Sequence, residues 1–156
     1  MTGRTDMATR LIEASADELY NAFVDADSLI AWLPPQGMSG RVLLFEPQDG
    51  GRYQIELTYG ADAPAGVGKS TSHSDVTSGR FLALEPGRRI VQSVEFKSDD
   101  DAFAGEMIMT WTFEPAGKTT KVTITAENVP AGISAEDHAA GLTSTLENLA
   151  AYVASR

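Results

Sequence analysis

The last part of the chain carries apolar residues at the repeat of an α-helix. They recur at steps of three or four residues: Leu142, Leu146, Leu149 and Val153. His138 lies on the same stripe, and the spacing predicts one long amphipathic helix over residues 135–153. A single helix with such a stripe must bury it against another element, and the rest of the chain offers mainly strands.

Alternation of apolar and polar residues predicts those strands. The clearest case is 52–59, which places Tyr53, Ile55, Leu57 and Tyr59 on one face. Another puts the large side chains of Met107, Met109, Trp111 and Phe113 on one face. The predicted strands cover residues 7–13, 41–46, 52–59, 72–84, 89–97, 107–113 and 121–126.

Two short helices are predicted between the first and second strands. Ser15 and Glu18 form a capping box, in which the serine hydroxyl takes a free amide and the glutamate reaches back. A second helix starts at 25–28 and runs through Trp32. Pro34 and Pro35 end it, because proline cannot donate a helical hydrogen bond.

This order of elements predicts the fold. One strand, two short helices, about six antiparallel strands and a long C-terminal helix form an α+β helix-grip arrangement. Residues 1–156 read as one domain, since no repeat, low-complexity tract or linker divides them. A curved sheet wrapped around one helix leaves a hollow, and hollows of this kind bind small molecules.

Charge and composition exclude several classes of function. The chain has 12 basic and 22 acidic residues, a net charge of −10, so nucleic acid is not an expected partner. The absence of cysteine excludes disulfides and thiolate chemistry. No apolar run reaches the length of a membrane span, and the polar residues 1–10 do not read as a secretory signal. We expect a cytoplasmic protein.

Three local patterns hint at metal or phosphate chemistry, and none is convincing. His73 has Ser72, Ser74 and Asp75 beside it, but adjacent strand residues point to opposite faces and cannot converge. Asp99–Asp101 reads as a solvated turn. Residues 66–70 lack the first glycine of a phosphate loop, and 60–68 reads as a mobile loop. We expect no metal and no cofactor.

His138 is the strongest candidate for a chemical role in the chain, because histidine can exchange a proton near neutral pH. It is expected in the first turns of the long helix, after the capping residue Ser134, on the face toward the sheet. One interpretation makes it a polar group at the end of the cavity, as a hydrogen-bond partner or general base. The other makes it a neutral histidine bonded to a backbone carbonyl near 128–130.

Several short motifs are shared with one protein family. They are AWLPP at 31–35, GMSG at 37–40, GRF at 79–81, MTW at 109–111, ENVP at 127–130 and Asp137-His138. With these motifs the chain resembles, from about residue 7 to 153, the homology domain of activators of the ninety-kilodalton heat-shock protein's ATPase. That domain belongs to the START-like (SRPBCC) superfamily, which includes birch-pollen-allergen-like and polyketide-cyclase-like folds. The resemblance implies the helix-grip fold and an internal cavity.

The expected cavity lies between the large side chains of the sheet and the C-terminal helix, with Trp32, Leu33 and Met38 forming one lip. The full set of candidate cavity residues is Trp32, Leu33, Met38, Tyr53, Ile55, Leu57, Phe81, Phe96, Met107, Met109, Trp111, His138, Leu142 and Leu146. Methionine adapts to irregular gaps, and tyrosine and tryptophan bring polar tips, so this composition suits a ligand pocket.

We expect the chain to bind a small hydrophobic or amphipathic molecule in this cavity. One alternative is a cyclase- or hydrolase-like enzyme that uses His138 with Tyr53 or Tyr59. Another is a chaperone-related protein-interaction domain. The eukaryotic co-chaperone has an additional N-terminal domain that this chain lacks, which argues against a chaperone partner. A homodimer is left open.

Overall fold

The computed structural model of the chain describes residues 4–34, 37–60 and 73–155. Within them the elements follow the predicted order, with a short 3-10 helix added at Asp101–Phe103. Their bounds are β1 (Arg4–Ile12), α1 (Ala16–Val24), α2 (Ala26–Trp32), β2 (Met38–Phe45), β3 (Arg52–Tyr59), β4 (Ser74–Glu85), β5 (Arg89–Phe96), β6 (Met107–Ala116), β7 (Thr119–Val129) and α3 (Ala135–Ala154). The predicted helix-grip fold is confirmed.

The strands form one antiparallel sheet in the order β1-β7-β6-β5-β4-β3-β2. Short turns join β2 to β3, β4 to β5 and β6 to β7, and β1 pairs with β7 only after the rest of the sheet has been built. The predicted alternation holds in β6, where Met107, Trp111 and Phe113 are buried. The face that carries them is covered by α1 as well as by α3.

Several strands are longer than the hydrophobic pattern predicts. β7 covers Thr119–Val129 rather than 121–126, because its polar ends pair with both neighbours. Thr120 lies opposite Ile12 of β1, and Glu127 lies opposite Ile108 of β6. Backbone pairing extends a strand regardless of side-chain polarity, so the apolar pattern marks its centre and misses its ends.

The helices start at the predicted caps. The Ser15 hydroxyl oxygen accepts a hydrogen bond from the backbone amide of Glu18, with an N–O distance of 3.1 Å. The Ser134 hydroxyl oxygen accepts one from the backbone amide of Asp137, also at 3.1 Å. On the same face of the sheet as α3, α1 packs over β6, where the Trp111 ring lies 4.8 Å from the Phe23 ring. None of the helices in the described part of the chain combines the length and apolar character that crossing a bilayer requires.

The stripe of α3 is buried as predicted. The exposed fractions of Leu142, Leu146, Leu149 and Val153 are 5%, 1%, 1% and 8%. This burial fixes α3 against the sheet and positions its N-terminal half.

We predict that Leu146→Ala or Leu149→Ala lowers the free energy of unfolding by about 2–5 kcal/mol, since each removes a fully buried leucine. Leu82→Ala, at a position that is 48% exposed, is the matched control and should cost less than about 0.5 kcal/mol. Urea unfolding of the three variants measures these changes. Losses below about 0.5 kcal/mol for both helix variants would mean that α3 does not pack as described.

Candidate functional site

A cavity of about 320 Å³ lies between the sheet and α3. Phe23, Leu29 and Leu33 line it near α1 and α2, while Ile133 and Asp137 line it near the start of α3. The walls come from β3, β4, β5 and β6, whose cavity-facing residues alternate with outward-facing ones. The site is therefore built on the regular elements of the fold rather than on loops alone.

The structure brings most of the sequence-predicted cavity residues together. Those that line the cavity are Leu33, Tyr53, Ile55, Leu57, Phe81, Phe96, Met107, Met109, Trp111, His138 and Leu142. Whether any of them contacts a ligand stays a prediction.

Three predicted residues lie outside this lining. Trp32 is 2% exposed and donates its indole N–H to the Ala22 carbonyl at 3.0 Å, so it packs into the core instead of forming a lip. Leu146, on the inward face of α3, is 1% exposed and lies in the core. Met38 is half-buried at the start of β2, opposite Tyr59. The periodicity of a helix or strand predicts which of its side chains face inward. It does not predict which of these line the cavity and which pack into the core.

The sequence reasoning missed other lining residues. They are Phe23, Leu29, Phe45, Asp75, Thr77, Gln92, Val94, Ile124, Ile133, Asp137, Gly141 and Thr145. A signal existed for the polar ones: Gln92 shares the strand parity of Val94 and Phe96, and Asp75 and Thr77 share that of Phe81. A polar residue at an apolar parity position marks a buried polar group in the cavity wall.

His138 lies at the cavity, and its partner differs from the one expected. Its Nδ1 is 2.6 Å from the Asp6 carboxylate, whereas the expected partner was a backbone carbonyl near 128–130. Asp6 also binds the Arg4 guanidinium at 3.0 Å, and Arg4 donates to the Ile133 carbonyl at 2.5 Å. The sequence pattern could not show this contact, because β1 comes close to α3 only as a result of its pairing with β7.

The carboxylate of Asp6 is held in its charged form. Burial acts to raise the pKa of Asp6, but hydrogen bonds from Arg4 and His138, together with their charges, outweigh it and lower that pKa. The Asp6 and His138 side chains are 9% and 12% exposed, so the pair is shielded from solvent. The carboxylate fixes the orientation of the imidazole, whose ring forms part of the cavity wall.

The two tyrosines considered as catalytic partners have other roles. The Tyr53 hydroxyl donates to the Ser93 carbonyl at 2.5 Å, and the Tyr59 hydroxyl donates to Asp75 at 2.9 Å. Burial raises the pKa of Tyr53 and of Tyr59, and the Asp75 carboxylate raises that of Tyr59 further. Both phenols therefore stay neutral, and the hydrogen-bonding partner of His138 is Asp6 rather than either of them.

No group of three or more potential metal-ligating side chains occurs among residues 4–34, 37–60 and 73–155. His73 is exposed just before β4, while Asp75 is 6% exposed and lines the cavity. The proposed mobile loop at 60–68, apart from Gly60, and the segment 66–70 lie outside the described residues, as do Ser72 and Pro35.

Comparison with known proteins identifies the family. The model of activator of Hsp90 ATPase homolog 1-like proteins matches residues 13–154. The chain belongs to this family. A protein from Chromobacterium violaceum with a solved structure is 32% identical to this chain. The match covers 96% of each chain, and the two superpose with a TM-score of 0.84.

Two further structures share the fold at lower identity. A protein from Silicibacter pomeroyi, itself named for this family, is 18% identical, with 97% of this chain and 98% of that chain covered and a TM-score of 0.78. A protein from Rhodobacter sphaeroides is 19% identical, with 99% and 98% covered and a TM-score of 0.77. No curated protein matches the chain.

The lowered pKa of Asp6 predicts a pH-dependent contribution to stability. A carboxyl whose pKa is lower in the folded state stabilises the fold above its ordinary pKa of about 3.9, and this is lost as the pH falls through the folded value. Asp6→Asn should therefore cost about 1–3 kcal/mol at pH 5, and the gap to wild type should narrow at pH 2.5.

Urea unfolding at the two pH values measures the gap. Asp99→Asn is the matched control, since Asp99 is exposed, and it should differ from wild type by less than about 0.5 kcal/mol at both. An Asp6→Asn gap that is as large at pH 2.5 as at pH 5 would contradict the assigned role of the carboxylate.

Proposed function

We propose that this chain binds a small hydrophobic or amphipathic molecule in the cavity between the sheet and α3. The observation that carries the proposal is the cavity itself: about 320 Å³, lined mainly by aromatic and aliphatic side chains and containing a few polar ones. Ligand pockets in proteins share this composition and span about 300–1,000 Å³. The volume is at the small end of that range and favours a compact ligand.

The charges around the cavity restrict the ligand further. Among the lining residues that the structure describes, the charged or titratable groups are Tyr53, Asp75, Asp137 and His138, and none is lysine or arginine. The whole chain carries a net charge of −10. An anionic ligand would meet no compensating cation at these residues, so a neutral or cationic ligand fits better.

An enzymatic function is the second candidate, and the contact between His138 and Asp6 favours it. A carboxylate that orients an imidazole is the arrangement used by many general bases. This alternative requires conversion of the bound molecule. Turnover by wild type that is lost in His138→Ala, while ligand binding is retained, would support it. Binding without turnover supports ligand binding as the function.

Gly141 offers a direct test of the proposed binding. It lies on α3 and lines the cavity, and a Cβ built on it meets no heavy atom within 4 Å. Gly141→Ala should raise the free energy of unfolding by about 0.5–1 kcal/mol, because glycine is a poor helix former, and should leave the cavity open. Gly141→Leu gains similar helix propensity but fills part of the cavity.

We therefore expect native wild type and Gly141→Ala to bind N-phenyl-1-naphthylamine saturably, and Gly141→Leu to bind it at least about tenfold more weakly. Fluorescence titration measures binding, and near-ultraviolet circular dichroism verifies that each variant is folded, because partly unfolded proteins bind such probes. Absence of probe binding to native wild type, or equal binding by the alanine and leucine variants, would contradict the proposal.

A further inference from the structure

Gln92 is a buried amide in an otherwise apolar part of the cavity wall. Its side chain is 7% exposed and lines the cavity from the middle of β5. Its neighbours in register are Phe81 on β4 and Met109 on β6. A buried amide is costly unless its hydrogen-bonding groups are used, so the partners of each amide atom matter.

The orientation of this amide is fixed by Trp111. The indole N–H lies 3.1 Å from Oε1 of Gln92. An indole nitrogen can only donate a hydrogen bond, so the atom that faces it must be the amide oxygen. Trp111 is held in turn by ring contacts with Phe23 and Trp32, at centroid distances of 4.8 Å and 5.8 Å. The amide nitrogen of Gln92 therefore has a set position beside the cavity.

The two hydrogens on that nitrogen are not both used. The Tyr53 hydroxyl gives its own hydrogen to the Ser93 carbonyl, which leaves the phenol oxygen as an acceptor. One amide hydrogen of Gln92 can use that oxygen, and such a hydrogen bond acts to lower the pKa of Tyr53 while burial raises it more. Within the described residues, the other hydrogen bond of Gln92 is the one that its amide oxygen accepts from Trp111, so at least one amide hydrogen is left without an acceptor there.

We propose that the amide N–H of Gln92 is the polar subsite of the cavity and selects ligands with a neutral carbonyl oxygen on a compact apolar body. The inference rests on the proposed function and adds the ligand's chemistry to it. A carbonyl oxygen only accepts hydrogen bonds, which matches a spare N–H donor. A hydroxyl would bring a hydrogen of its own that needs an acceptor, and the amide oxygen of Gln92 already accepts one hydrogen bond from Trp111.

The charges in the cavity lining favour a neutral carbonyl ligand over a carboxylate. A carboxylate could also accept the amide hydrogen, but burying it here would need a cation. The described lining contains Asp75 and Asp137 and neither lysine nor arginine. A neutral ketone, ester or amide meets the hydrogen-bonding requirement of Gln92 without adding a charge to the interior.

The test compares two ligands of similar shape, 2-acetylnaphthalene and 2-isopropylnaphthalene, which differ by a carbonyl oxygen in place of a methyl group. Their dissociation constants are measured by isothermal titration on the full chain, for wild type, Gln92→Met and Gln54→Met. Gln92→Met keeps the length of the side chain and removes the donor. Gln54→Met is the matched control, because it is the same substitution at a residue of β3 that does not line the cavity.

We expect the preference for the ketone over the hydrocarbon to fall about tenfold in Gln92→Met, the value of one hydrogen bond, and to be unchanged in Gln54→Met. The same ratio in Gln92→Met and wild type overturns the subsite and leaves the proposed function standing. Failure of both ligands to bind wild type overturns both proposals.

Wild type alone gives a second readout if Gln92→Met does not fold. The infrared carbonyl stretch of bound 2-acetylnaphthalene should lie below its position in hexane, because a hydrogen bond weakens the C=O bond. A stretch at the hexane position would show a carbonyl without a donor and overturn the subsite.

Discussion

The structure depends on one geometric constraint: a single helix has to cover a wide sheet. Seven strands at about 4.8 Å spacing span roughly 29 Å, whereas a helix with its side chains is about 10 Å across. The sheet curves around α3, and α1 and α2 fill one end of the concave face. Space remains between β3–β6 and the N-terminal half of α3. Gly141 adds to this space, because it has no side chain to project into it. The cavity is therefore a consequence of the fold.

Contacts at the two ends of α3 keep this space open. Leu146, Leu149 and Val153 bury the C-terminal half in the core, and Asn148 donates to the Pro34 carbonyl at 3.1 Å. The N-terminal half is held instead by the hydrogen bond that joins His138 to Asp6 on β1. Polar contacts position that half without filling the space beneath it, whereas apolar packing would close the space.

Much of the fold followed from the sequence because its signals are local. Apolar periodicity gave α3 and the central strands, and the capping residues Ser15 and Ser134 gave two helix starts. The inward faces of β3 and β6 also followed from parity, and most of the candidate cavity residues line one hollow in the structure. Local pattern determines which face of an element turns inward.

The remaining features depend on contacts between distant parts of the chain. The partner of His138 could not be predicted, because Asp6 is 132 residues away and belongs to a strand that pairs with β7. Trp32 and Leu146 share the inward parity but lie where packing is complete. Gln92 was overlooked because a polar residue in a strand is usually assigned to solvent, and only the register beside Phe81 and Met109 reveals its burial.

The most direct test of an open, ligand-binding interior is nuclear magnetic resonance of the protein with 13C-labelled methionine methyl groups, titrated with 2-acetylnaphthalene. Met107 and Met109 line the cavity, while Met7 is 64% exposed on β1 and serves as an internal control. A ligand inside the cavity should shift the Met107 and Met109 signals saturably through the ring current of naphthalene and leave Met7 unchanged. Unchanged signals from Met107 and Met109 would show that the ligand does not enter and would contradict the account.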